Sequence, residues 1–275
     1  MKWFRSRDFS GGISKCWWTG TGVLSLLLIG VPAEPAADPC HLAAEQGGIL
    51  FPVDHVDPAW RCRLGPIVNS YTTAGVIGPV QTPLAQGFYE YLLDRPLVIA
   101  SLVQRLGIAN FRASARGPNE FWVNDGDGTQ GLLTLVHDDQ TTRIYHIDGY
   151  HEGTLFPLVR AKAVVFIKIR SVLTQERQPA VETTLVSYIR LDDRILSALV
   201  YILRPLVGEA VTRKLARGFD VTNQLSTTIA QDPDRVAQEV TSPPLLASDE
   251  LASLKTRLHA MRHPMPPPHP PRPAP

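Results

Sequence analysis

Between Phe111 and Leu191, β-patterned runs follow one another with only short turns between them. A parallel pair of strands needs a crossover of a dozen or more residues, so strands spaced this closely must pair antiparallel. Phe111–Ala115 and Glu120–Val123 flank the turn Gly117-Pro118-Asn119, and Leu132–His137 and Thr142–Asp148 flank Asp138-Asp139-Gln140. Two longer strands are predicted over Ala163–Val172 and Val181–Leu191. On the first, Ala163, Val165, Ile167 and Ile169 make a wholly apolar face, with Val164, Phe166, Lys168 and Arg170 on the other. The matching face of the second carries Val181, Thr183, Leu185, Ser187 and Ile189. Side chains alternate with period two, so the apolar sets belong together under a helix.

The flanking segments supply helices. Ile67–Ile77 is rich in β-branched residues and predicts a first strand, closed by Pro79 and Pro83. Leu84, Phe88, Tyr91 and Leu92 then recur at helical spacing up to Leu93, and Asp94-Arg95-Pro96 interrupts. Pro96 can open a second helix through Leu97, Ala100, Val103 and Leu106, ended by Gly107. After the strands, Asp193 to Ile229 predicts one long helix. Its apolar face runs through Ile195, Leu199, Ile202, Leu203, Leu206, Val211, Leu215 and Phe219, with a kink at Pro205. Two short helices follow, one from Asp232-Pro233 and one from Ser248 with a stripe of Leu251, Leu254, Leu258 and Met261. Most of the 24 prolines gather in residues 32–83 and 243–275, so a single core is expected between loosely built ends. Residues 263–275 read as an extended proline-rich tail.

The N-terminus has the pattern of an export signal. Lys2, Arg5, Arg7 and Lys15 face one acid, Asp8; no charge occurs from Cys16 to Ala33; and Val31-Pro32-Ala33 offers small residues for cleavage. The competing reading is an uncleaved membrane anchor, although Val23–Val31 is only about half the roughly 20 apolar residues a span needs. The organisation expected is therefore a signal over 1–33, a proline-rich segment over 34–66, a main domain over 67–231, short helices over 232–262 and the tail. Removal of the signal leaves Cys40 and Cys62, which in an oxidising compartment most simply form one disulfide. A metal site from His41, Asp54, His55 and Asp57 has no regular ligand spacing behind it. The formal net charge of +1 gives no footprint for nucleic acid.

Few residues suggest chemistry. Gly126-Asp127-Gly128-Thr129-Gln130-Gly131 spells a dinucleotide fingerprint, but a strand follows where a helix is required. Asp125, Asp127 and Thr129 imitate the opening of a calcium loop, which Gln130 and Val136 then break. His146 and Asp148 share a strand face and could act as a base with an orienting carboxylate. Tyr145 and Ile147 are the more apolar pair, which turns His146 and Asp148 outward. Arg160, Lys162, Lys168 and Arg170 read as a solvated strand face or a weak contact with anionic headgroups.

A strand, two short helices (with Phe88-Tyr89-Glu90-Tyr91-Leu92-Leu93-Asp94 in the first), six antiparallel strands and one long helix resemble the helix-grip order of the START-like (SRPBCC, Bet v 1-like) superfamily, as an exported, bacterial-type member. The resemblance spans residues 67–231. It implies an α+β fold in which a curved antiparallel sheet wraps around the long C-terminal helix and leaves an apolar cavity between them. Val165, Ile167, Ile169, Thr183, Leu185 and Ser187 on the strands, with Leu199, Leu203 and Leu206 on the helix, are the expected ligand-lining residues. Thr183 and Ser187 would either orient the polar end of an amphipathic ligand or bond to backbone or water in a filled core. The function expected is an exported or periplasmic binding or carrier protein for an apolar or amphipathic small molecule such as a lipid, with no cofactor. Two alternatives stand beside it: a cyclase- or hydratase-type enzyme using the same cavity, and a structural or interaction domain.

Overall fold

In the computed structural model, residues 38, 40–153, 158–191, 213–214, 217–218, 220–241 and 246–262 are described. The chain opens with a small hairpin, β1 Glu45–Gln46 and β2 Ile49–Leu50, whose turn places Gly47 and Gly48 at positive φ. Helix α1 spans Pro58–Asn69; the Asp57 carboxylate accepts from Ala59 N at 2.7 Å, and Pro58 takes the first-turn position where no donor is lost. Strand β3 (Thr73–Thr82) follows, then α2 (Gln86–Leu93) and α3 (Pro96–Arg105). Six strands come next: β4 Arg112–Gly117, β5 Glu120–Asn124, β6 Thr129–Asp138, β7 Thr142–His151, β8 Val159–Leu173 and β9 Pro179–Leu191. Residues 220–231 form helix α4, and α5 (Pro233–Glu239) and α6 (Ser248–Arg262) complete the described chain.

The fold is α+β, built on a seven-stranded antiparallel sheet in the order β3-β9-β8-β7-β6-β5-β4. Each strand from β4 to β9 lies beside its sequence neighbour, as the short turns require, and β3 closes onto β9. Two departures from regular pairing have visible causes. β3 bulges between Ile77 and Val80, where Gly78 has φ 112° and a Cβ would lie 2.6 Å from the Thr183 carbonyl. Gly131 and Gly149 face each other on β6 and β7 so closely that a Cβ on Gly131 would sit 2.6 Å from the Gly149 Cα.

Both faces of the sheet are covered. On the inner face, Tyr145, Val165, Ile167, Ile169, Val181 and Leu185 share one core with α2, α3, Leu225 and Ile229 of α4, and α5 and α6. On the outer face, Ile144, Val164, Phe166 and Val186 are buried under Leu42, Phe51, Val53, Val56 and the Leu64, Ile67, Val68 side of α1. Phe166 is fully buried, with its ring 5.1 Å from Phe51 and 6.2 Å from Tyr188. Burial of each such side chain contributes about 1.5–3 kcal/mol. The Cys40–Cys62 disulfide is formed and ties the start of this outer layer to α1. Two further links hold it: Asn69 Nδ2 donates to His41 O at 2.9 Å, and Arg190 donates to Pro66 O at 3.1 Å.

The structure corrects two expectations. Ile67 and Val68 belong to α1, so the first strand of the large sheet begins at Thr73 and runs through Pro79. The proline-rich segment is a packed layer, and the boundary read at residue 67 falls inside its helix. The segment over 1–33, the proline-rich tail and most of the long helix, with its Pro205 kink, lie outside the described residues. Among those described, no helix is long and apolar enough to cross a membrane. The disulfide accords with an oxidising, exported environment.

Because the disulfide closes a separation of 22 residues, the Cys40→Ser/Cys62→Ser variant should lose about 3 kcal/mol of unfolding free energy. Urea denaturation of the oxidised protein and the variant checks this value.

Candidate functional site

The sheet brings six of the expected lining residues together as three directly opposed pairs. Val165 faces Ser187, Ile167 faces Leu185 and Ile169 faces Thr183 across β8 and β9. All six are buried on the inner face. Leu199, Leu203 and Leu206, expected opposite them, lie outside the described residues.

The polar groups of this wall differ in how they are satisfied. Ser187 Oγ donates to Gly75 O at 3.4 Å, a long bond to the neighbouring strand. Tyr145 reaches from β7 to the end of α2, its hydroxyl donating to Leu93 O at 3.0 Å; burial pushes its pKa far up. The Tyr89 phenol on α2 is likewise held protonated by burial, against a smaller opposing pull from Thr183. Tyr89 and Thr183 are therefore close, yet Thr183 Oγ1 forms no hydrogen bond of normal geometry although the residue is fully buried. On α4, Ser226 Oγ and Asn223 Oδ1 are also buried without a partner. An unpaired buried polar group costs about 1–3 kcal/mol, so each needs an explanation.

The end of the wall is pinned by charge. Arg143 projects from β7 to Asp94 at the corner between α2 and α3, with Nε–Oδ1 2.6 Å and a second bond to Oδ2 at 3.1 Å. Its remaining edge donates to the Thr142 and Asp139 carbonyls. Burial works against the guanidinium charge, and the Asp94 carboxylate more than offsets it. Nothing in the sequence pattern flagged this pair, because the partners lie 49 positions apart.

His146 and Asp148 are on the opposite side of the sheet from the wall. The His146 ring packs 5.6 Å from Trp60 of α1, and Asp148 is exposed with Lys162 Nζ 3.8 Å away. The outward orientation read from Tyr145 and Ile147 holds, and α1 makes His146 half-buried. Burial depresses its pKa; Asp148 opposes, and Lys162 and Arg63 add to the depression.

Other features gather elsewhere. A groove of about 790 Å³ separates α5 from α6, between Asp234, Gln238, Lys255 and His259. Another of about 580 Å³ lies on the outer face beside Trp122, Tyr150 and Arg160. Neither is lined by a wall residue. The sequence imitating a calcium loop is the β5–β6 turn, and the side chain of Lys214, a helical residue, occupies it. Lys214 Nζ donates to Asp125 Oδ2 at 2.8 Å and to Asp127 O at 3.0 Å. Burial alone would raise the Asp125 pKa, but Lys214 and the Asp127 and Thr129 amides bring it below the usual carboxylate value. Among the described residues no group of three or more His, Cys, Asp or Glu side chains could hold a metal ion.

No protein-family model matches the chain, and no curated protein matches it. A conserved protein from Geobacillus kaustophilus is similar in structure with a TM-score of 0.41 at 8% identity, over 56% of this chain and 95% of that one. An uncharacterized protein from Rhizobium leguminosarum gives 0.34 at 10% identity, over 56% and 94%. Similarity at this level carries no argument about chemistry.

Two measurements follow from this geometry. Asp94→Ala strands a buried guanidinium and should destabilise the protein by about 3 kcal/mol, read by thermal or urea unfolding. For His146, the folded pKa lies below the unfolded value of 6.5. Its neutral form therefore supports stability fully above that value, and the support is lost as pH falls through the folded pKa. Unfolding free energy should decline from about pH 7 to about pH 5, and His146→Gln should flatten that decline.

Proposed function

We propose that the chain is an exported binding or carrier protein of the START-like, helix-grip kind, holding an apolar or amphipathic small molecule against the inner wall of its sheet. Lipids are the ligand class that suits such a wall. The observation that carries the reading is the inner wall itself: Val165, Ile167, Ile169, Val181 and Leu185 make one apolar surface, with the Thr183 hydroxyl set among them beside the Tyr89 phenol. A bound ligand's polar end would bond to these hydroxyls.

The order of elements supports the family. Two short helices follow the first strand of the large sheet, six strands run in meander, and that first strand closes onto the last. Export is supported by the disulfide and by the charged, then apolar, N-terminal sequence. The cyclase or hydratase alternative leaned on His146, which lies across the sheet from the wall and packs on Trp60. The carrier reading needs no catalytic group.

Native mass spectrometry of the exported protein, purified without detergent and then extracted with organic solvent, tests the proposal. A co-purifying small molecule of lipid mass is expected. Protein that arrives empty and takes up no lipid offered from vesicles or cyclodextrin would falsify the carrier reading.

A further inference from the structure

β3 and β4 are the two edges of the large sheet, and they are built differently. An edge strand offers backbone N–H and C=O groups that another strand can pair with, and charged side chains, prolines and bulges ordinarily guard it. β4 has six residues and carries Arg112 and Arg116, both exposed. β3 has ten residues, and the sequence over 64–89 contains no charged side chain. Its guard is the bulge with Gly78 and Pro79, which interrupts only the second half. Residues 73–77 pair in unbroken register with β9, and among the described residues no strand lies on their other side.

The side chains along this edge are apolar and exposed. Val76 is 52% exposed, and Ala74 beside it on the outer face is exposed as well. Tyr71, 44% exposed, packs its ring 5.3 Å from Tyr188 of β9. Leu50, 70% exposed, belongs to the β1–β2 hairpin, where a Cβ on Gly47 would lie 3.0 Å from Val76 Cγ2. A bilayer could take up such side chains, but its interior offers no partner to the backbone of a strand. A second strand answers both the amides and the apolar groups.

We infer that residues 73–77 of β3 are the contact through which two copies of this chain pair, antiparallel and edge to edge, so that one sheet continues across both protomers. A two-fold register centred on Gly75 sets Ala74 of one protomer opposite Val76 of the partner subunit, twice, and brings no like charges together. The second copy suits this edge because the strand is uncharged and its Ala74–Val76 pairing is self-complementary. A contact of this size is small, so pairing of about micromolar strength or weaker is expected. The inference stands apart from the carrier reading.

Sedimentation velocity of the exported protein from about 1 to about 200 µM should show monomer passing into dimer. Ala74 and Val76 are exposed, so charge placed there leaves the fold intact, which circular dichroism checks. Ala74→Lys combined with Val76→Lys opposes lysine to lysine twice and should weaken the dimer at least about tenfold. Ala74→Lys combined with Val76→Glu opposes unlike charges in the same register and should restore it. A chain that stays monomeric throughout overturns the inference, as does a dimer that tolerates the paired lysines. Loss of the dimer in both double variants overturns the register centred on Gly75. A monomer that floats with phosphatidylcholine vesicles assigns the apolar patch to a bilayer and overturns the pairing.

Discussion

The middle of β8, from Val164 to Ile167, is buried on both of its faces, and the remaining architecture is arranged around that fact. Val165, Ile167 and Ile169 point into the core that α2, α3 and α4 help to form, while Val164 and Phe166 point into the core beneath α1. An antiparallel sheet with one wet face would need only the first of these layers. Here the second layer is compulsory, because an uncovered Phe166 and Val186 would present an apolar patch to water. The N-terminal segment is therefore a structural layer. The disulfide, the Asn69–His41 bond and the Arg190–Pro66 bond hold it in place.

The strands were legible because short turns and period-two alternation leave little freedom. The wall pairs Val165–Ser187, Ile167–Leu185 and Ile169–Thr183 follow from alternation on two long strands once these are neighbours. The apolar pair Val164 and Phe166 on the opposite face was the readable sign that something covers it, and the sequence reading assigned nothing to that role. α1 escaped because Gly65 and Pro66 stand in its interior, so local propensity argues against a helix that packing nevertheless enforces. Ile67 and Val68 then looked like the start of a strand, since a short apolar run has the same appearance in either state. β3 was hard to delimit for the converse reason. Gly75, Gly78 and Pro79 are poor strand formers, and pairing with β9 holds them in register around the bulge.

The candidate site was legible only in its apolar half. Alternation identified where Thr183 and Ser187 would point, but no sequence pattern distinguishes the hydroxyl that finds Gly75 from the one that lies beside the Tyr89 phenol. The difference lies in the local geometry of β3. Gly75 offers its carbonyl opposite Ser187, whereas the bulge around Gly78 interrupts the strand next to Thr183. Asp94 and Arg143 were invisible for a related reason, since an ion pair formed across a helix corner leaves no periodic trace. Together they tie the corner between α2 and α3 to β7.

The β5–β6 turn has a consequence of its own. An acidic turn that opens like a calcium loop would ordinarily recruit its counter-ion from the medium, with occupancy set by the supply of that ion. In this chain the cation is Lys214, a helical residue of the same chain, delivered at the effective concentration of a tethered group. The turn and the Lys214 segment are thereby clasped by an intramolecular bond indifferent to chelators. With both partners about one-third exposed, the strength of that clasp is governed by ionic strength.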